Sequence, residues 1–255
     1  FHTEPVVFAA AGFARGARTH AAVVAGALLW VPADWRQHFP LEPMLARTTH
    51  TVVDVGGGKL FTFSGETRDS HLGPMRNTRD TWLFDMRAVR WERFAGEPVP
   101  PGRCHQPAAY SPEHDLVLMT GGLVYEMPKK VILADAWVWH VGERRWEQRA
   151  NPPARFSDGV VVWHAGAQRF VALAGARAWT YDPGADRWET LAAPSAVDAQ
   201  GALASYVPGG SASAVYEPVS QRIFLFGGQR GSVEDNQFVD DCAWYELGTN
   251  RYVRF

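Results

Sequence analysis

"LVLMTGG" (116–122) followed by "ADAWVWHVGERRW" (134–146) decides how this chain is read. An apolar run ends at paired glycines, then an aromatic-rich segment passes a turn and closes on a tryptophan. The same order returns along the sequence. "LFTFSG" (60–65) precedes "DTWLFDMRAVRW" (80–91), and "RFVALAG" (169–175) precedes "ARAWTYDPGADRW" (176–188). "RIFLFGG" (222–228) precedes "DDCAWYELGTNRY" (240–252), where Tyr252 takes the tryptophan's place. A fainter copy, "VVFAAAG" (6–12) and then "ALLWVPADW" (27–35), opens the chain. The closing aromatics recur at an irregular interval of about 50 residues, so the strands are fixed and the loops vary.

Each unit spells four antiparallel strands. The innermost reads "RTTHTVVDV" (47–55), "GRCHQPAAY" (102–110), "ARFSDGVVVW" (154–163) and "SASAVY" (211–216). Turns rich in Gly, Pro, Asp and Glu follow it. The second strand is nearly all apolar, as a strand covered on both faces should be. The third alternates aromatics, and the fourth begins at the tryptophan. Four-stranded sheets repeated radially describe a β-propeller. Its glycines are expected where neighbouring backbone leaves no room for a Cβ, and its tryptophans in the wedges between sheets.

The fold class expected is therefore all-β, with about five four-stranded blades in one domain over residues 1–255. The blades fall at 1–38 (partial), 47–94, 102–149, 154–191 and 211–255. The first copy lacks its inner strand and the last ends at its fourth, which predicts a larger, six- or seven-bladed ring. The start at Phe1 fits a piece of a longer polypeptide.

Composition sets further bounds. Eleven Trp and 24 Gly with 20% charged residues suit short strands and turns. A hydrophobic content of 46% in 255 residues supports a sizeable core. A net charge of −2 gives no electrostatic case for nucleic acid or an anionic membrane. Two cysteines make no disulfide framework, which points to a reducing, cytoplasmic setting. The longest apolar stretch, 21–33, is too short to span a bilayer.

The pattern resembles the kelch repeat family. The resemblance rests on the double glycines (121–122, 227–228), the downstream aromatic and Trp, and a "P-P-x-R…H" lead into each blade. That lead stands here as "PPGRCH" (100–105), "PPARF" (152–156) and "RTTH" (47–50). The departures are "SG" in the first full blade, "AG" with almost no following loop in the third, and the degenerate opening copy. Kelch enzymes that oxidise sugar alcohols hold copper through His and Tyr, with a Cys joined to a Tyr. Only Cys104 with His105 stands near a blade entrance, and the plainer reading makes Cys104 a small buried residue and His105 the usual inner-strand histidine. The E-x-x-x-D-x-x-x-H iron motif of nitrile-specifier kelch proteins is absent. Kelch sialic acid mutarotases line the funnel with charged residues. Arg47, Arg103 and Arg155 occupy the leads, where they suit an anionic ligand or tie blades through backbone carbonyls.

"VGGGKL" (55–60) has glycines without the spacing of a nucleotide loop. No G-x-S-x-G occurs, and the nine His form no H-x-H or H-E-x-x-H. The reading assigns no catalytic residue, no metal ligand and no cofactor.

Loops between the second and third strands share one rim, where function concentrates on a rigid scaffold. They carry Arg68, His71 and Arg76 (66–79), Tyr125, Lys129 and Lys130 (123–133), and Arg230, Glu234 and Asp235 (229–239). Mixed charge with Met, Tyr and Phe suits a protein-binding rim, and plain solvated loops are the alternative. The function expected is a non-enzymatic protein-interaction scaffold, one subunit of a multi-protein complex. The alternative is a carbohydrate-active kelch enzyme, a mutarotase or oxidase, with its site at the funnel. The connection 193–211 is either flexible or laid against a neighbouring sheet.

Overall fold

The computed structural model describes residues 21–24, 27–30, 46–68, 73–126, 129–231 and 237–255. Four antiparallel sheets follow one another along the chain, each with its strands in sequence order. Sheet I comprises Thr51–Asp54, Lys59–Phe63, Thr81–Asp85 and Arg90–Phe94. Sheet II comprises Ala108–Ser111, Leu116–Thr120, Ala136–His140 and Arg145–Arg149. Sheet III comprises Val160–His164, Arg169–Ala174, Arg177–Asp182 and Arg187–Thr190. Sheet IV comprises Ser213–Glu217, Arg222–Phe226, Cys242–Glu246 and Arg251–Arg254. The inner strands of successive sheets adjoin one another, so the sheets stand side by side like blades. The fold is all-β and propeller-like. Of the faint opening copy, the described residues show a two-stranded hairpin, Ala21–Val24 with Ala27–Trp30. No helix among the described residues is long and apolar enough to cross a membrane.

Strand alternation explains why the second strands are apolar throughout. In sheet II, Val117 and Met119 face sheet I, packing with Phe61, Phe63 and Leu83. Leu116 and Leu118 turn the other way and pack with Phe170, Ala172 and Trp179 of sheet III. Sheet III repeats the division, with Val171 and Leu173 meeting Ile223 and Leu225 of sheet IV. Each hydrophobic core thus lies between two sheets, and burying both faces of a strand is what stabilises the stack.

The closing aromatics share one register. Phe84 lies opposite Trp91, Trp139 opposite Trp146, Tyr181 opposite Trp188 and Tyr245 opposite Tyr252. Ring centroids in those pairs stand 4.9, 5.5, 4.8 and 5.1 Å apart, within the range of favourable aromatic pairs. Trp146 also reaches across the wedge, where its indole nitrogen donates to Thr81 Oγ1 of sheet I at 2.9 Å. Trp188 donates to the Ala150 carbonyl at 2.7 Å.

The glycine stops divide into two kinds. At Gly121, a Cβ would come within 2.3 Å of the Phe156 carbonyl oxygen, and at Gly122 within 2.8 Å of that of Cys104. Here the crowding expected from the sequence is present. Gly175 meets nothing within 4 Å and serves instead a two-residue turn at φ +58°. The long connection 193–211 lies against sheet IV: Ser195–Asp198 joins as a fifth strand, parallel to Arg251–Arg254.

Candidate functional site

Four short leads carry the chain into the inner strands, and they build the site. Thr49, His105, Asp158 and Ser211 occupy matching places, all left-handed at φ 53°, 56°, 58° and 57°. His105 N donates to Thr49 O (3.0 Å), Asp158 N to His105 O (3.1 Å) and Ser211 N to Asp158 O (2.8 Å). A ladder of main-chain bonds therefore runs from lead to lead, crossing all four sheets. Satisfying these amides offsets the strain of a left-handed backbone at non-glycine residues.

The leads of sheets I, II and IV also pair with the connection that leaves their own second strand. Thr48 bridges Glu66, Cys104 bridges Leu123, and Gly210 bridges Gln229. Those connections are two-stranded ribbons: Glu66–Thr67 with Arg76–Asn77, Leu123–Glu126 with Lys129–Ile132, and Gln229–Arg230 with Gln237–Phe238. The ribbons of sheets I and II touch, with Tyr125 N donating to Asn77 Oδ1 at 2.9 Å. Leads and ribbons together form one end of the molecule.

Arg47 and Arg103 are internal clasps. Arg103 is fully buried; Nη1 and Nη2 bind the two oxygens of Asp135 at 2.6 and 2.7 Å. Nη1 also donates to Gly121 O (2.9 Å) and Nε to Pro101 O (3.1 Å). Arg47 repeats the clasp on Asp80, with further bonds to Ser64 O and Thr78 Oγ1. Burial alone would push the carboxyls of Asp80 and Asp135 up, yet the guanidinium bonds and a tryptophan N–H hold both below the usual carboxylate range. Both clasps are made within a single sheet, and both guanidiniums are shielded from solvent. Arg155 is exposed and makes no such clasp: Phe156 stands two residues before Asp158, where Arg103 stands before His105, and Arg177 takes the place of the aspartate in sheet III.

Among the rim residues, Arg68, Arg76, Lys129 and Lys130 are exposed. Tyr125 is half-buried, with the Lys130 ammonium 5.4 Å from its ring centroid. Arg230 turns inward to Asp241 (2.7 Å) and to the Val207 carbonyl (2.8 Å), so it fastens its ribbon. His71, Glu234 and Asp235 lie outside the described residues.

A polar cluster forms where leads I to IV meet the first two ribbons. His105 Nδ1 lies 2.5 Å from Asp158 Oδ1, and Ser211 Oγ donates to the same oxygen at 2.7 Å. That bond to Asp158 raises the His105 pKa against the effect of burial. Asp158 itself is pulled down, burial being outweighed by His105 and Ser211. Cys104 is fully buried beside this pair, and burial with the charge of Glu66 pushes its thiol up to about 11. The Tyr125 hydroxyl is pushed up to about 12 by burial and by Glu66. Glu66 Oε2 sits close enough to act on both groups, yet it is shielded from solvent without a well-directed hydrogen bond. The carboxylate of Asp158 stands between the serine and the histidine, so the three make no nucleophilic triad, in which the histidine must touch the hydroxyl.

Sequence reasoning found Cys104 and His105 but not Glu66 or Asp158. Glu66 and Cys104 are far apart in sequence, and it is the bonds from Gly65 N (2.9 Å) and Ser64 Oγ (2.7 Å) to the Arg103 carbonyl that bring their segments together. The signal that existed was positional: Asp158 follows "PPARFS" (152–157) where His105 follows "PPGRC" (100–104).

The opposite end holds a cleft of about 470 Å³ between sheets III and IV. Its polar groups serve each other: Glu246 takes Arg222 and Arg251, and His164 Nε2 meets the Gln221 carbonyl oxygen. No protein-family model matches the chain, and no curated protein is significantly similar to it.

Proposed function

We propose that the chain is a non-enzymatic binding scaffold of the kelch-propeller type, part of a ring of six or seven blades. Its lead-and-ribbon face receives a partner protein within a larger assembly. The observation that carries this reading is the pair of touching ribbons on sheets I and II, held at their bases by bridges to the leads. Arg68, Arg76, Lys129 and Lys130 stand exposed there, with Ile132 at 43% exposure, while Phe238 of the third ribbon is 87% exposed. Basic groups around apolar and aromatic side chains, on a preordered scaffold, suit an acidic partner surface with an apolar anchor. The glycine stops, leads and four-stranded sheets support the kelch assignment, and two free cysteines suit an intracellular setting.

A second reading, a carbohydrate-active enzyme, draws on the acid–base pair His105–Asp158 at the same face. It is the weaker one, because the Arg47 and Arg103 groups suited to an anionic sugar are occupied by Asp80 and Asp135.

The test is affinity capture from extract of the native source, comparing the wild type with K129E/K130E and with Phe238→Ala. The scaffold reading expects a defined partner to be retained by the wild type and lost at least tenfold by K129E/K130E, with melting temperature unchanged. Retention of every captured protein by both variants overturns it.

A further inference from the structure

The geometry points to a transition-metal site, fitted to zinc, formed by Glu66, Cys104 and His105. A carboxylate oxygen, the thiol sulfur and a ring nitrogen of these three residues all lie within 4.8 Å of one another. They come from two sheets: Glu66 opens the ribbon of sheet I, and Cys104 with His105 forms the lead of sheet II. Zinc bonds of about 2.0–2.3 Å place tetrahedral ligand atoms nearer than this, a closure that small side-chain rotations supply.

Two independent features favour a bound cation over a chance cluster. The first is the orientation of His105. Its Nδ1 is engaged by Asp158 at 2.5 Å, which leaves Nε2 to carry a lone pair. A carboxylate behind the far nitrogen is the usual support of a metal-binding histidine. The second is Glu66 Oε2, an atom shielded from solvent that no donor meets at good hydrogen-bond geometry, although the Tyr125 hydroxyl and the Cys104 thiol stand near the carboxylate. An uncompensated carboxylate oxygen is costly, and a cation removes that cost.

The donor set also selects the metal. One thiolate, one imidazole and one carboxylate match zinc and disfavour magnesium or calcium, which take oxygen ligands. The charges balance: carboxylate and thiolate supply two negative charges to a divalent ion. On binding, the Cys104 S–H bond is exchanged for a sulfur–metal bond and the proton passes to solvent. Three protein ligands leave one position open for water or for a donor from a partner. The ion would pin the ribbon of sheet I to the lead of sheet II, at the base of the face assigned above to partner binding. The site does not depend on that assignment, since metal binding is read without any partner.

Titration of the full chain with Co²⁺, followed by absorption, tests the site. One equivalent should bind with visible bands of tetrahedral cobalt and a strong near-ultraviolet thiolate-to-cobalt band. Cys104→Ser should abolish the thiolate band, whereas Cys242→Ser should leave it intact. Glu66→Gln and Asp158→Asn should each weaken binding by about 10–100-fold. Zn²⁺ should raise the melting temperature of the wild type and not that of Cys104→Ser. Should Cys104→Ser fail to fold, Glu66→Gln on the half-exposed ribbon carries the same comparison. Absence of stoichiometric binding to the wild type, or a thiolate band that survives Cys104→Ser or is lost with Cys242→Ser, overturns the proposal. So does unchanged affinity in Glu66→Gln.

Discussion

Sheets II and III occupy the same place in the repeat and solve it with different chemistry. In sheet II, the second strand runs into a long ribbon, and the fully buried Arg103 clasps Asp135 beneath it. In sheet III, Gly175 and Ala176 turn the chain at once, and neither ribbon nor clasp exists. The space is filled by apolar contact instead, Phe156 stacking on Trp179 at 5.3 Å. Sheet I has both ribbon and clasp. Sheet IV has the ribbon, and Asp241 there takes Arg230 and Arg254 because Gly209 replaces the lead arginine. Ribbons thus come with an aspartate at the head of the third strand. A strand diverted into a ribbon leaves carbonyls such as that of Gly121 without a ladder partner, and a guanidinium supplies one. The elaborated sheets carry the candidate site, and sheet III is a spacer that contributes Asp158.

The largest test of that difference is removal of the arginines. Arg103→Ala strands a half-buried carboxylate and should cost about 3–5 kcal/mol in urea unfolding. Arg155→Ala, exposed in sheet III, should stay within about 0.5 kcal/mol. Equal losses would dissolve the contrast. Next come the glycines. Gly122→Ala forces a Cβ onto the Cys104 carbonyl at positive φ and should cost about 3 kcal/mol. Gly175→Ala, with open space around it, should cost about 1 kcal/mol, and Gly175→Asn less.

Acid sharpens the comparison further. Asp80 and Asp135 titrate below their unfolded value, so in acid the unfolded chain binds more protons than the native one. Their stabilisation is full above about pH 4 and is lost as pH falls through the native values. The melting temperature of the wild type should drop across that window, and Arg103→Met should flatten the drop. The smallest effect lies at the outer turns. Sheet III places Asp186 at the left-handed residue, where it accepts from Tyr181 at 2.7 Å, while sheet I places the β-branched Val89 at φ 49°. Val89→Asn should stabilise by about 0.5–1 kcal/mol in thermal melts.

Much of the fold was legible because its determinants are local. Second strands, cross-strand aromatics and the turns before Trp146 and Trp188 are written in contiguous residues with a period of two. The site was legible only in part. Arg103 reads as a funnel arginine until Asp135, 32 residues on, is seen to occupy it. Arg230 reads as a rim charge for the same reason. Glu66 reads as one loop acid among several, since its approach to Cys104 depends on pairing between segments distant in sequence. Nothing local announces such pairing.

Amide hydrogen exchange, resolved residue by residue in the native protein, tests most directly the arrangement on which all of this rests. The amides of His105, Asp158 and Ser211 belong to half-buried or exposed lead residues, but each is bonded to the preceding lead. They should exchange as slowly as the amides of the second strands. Exchange at the rate of an open loop at all three would contradict leads bonded from sheet to sheet.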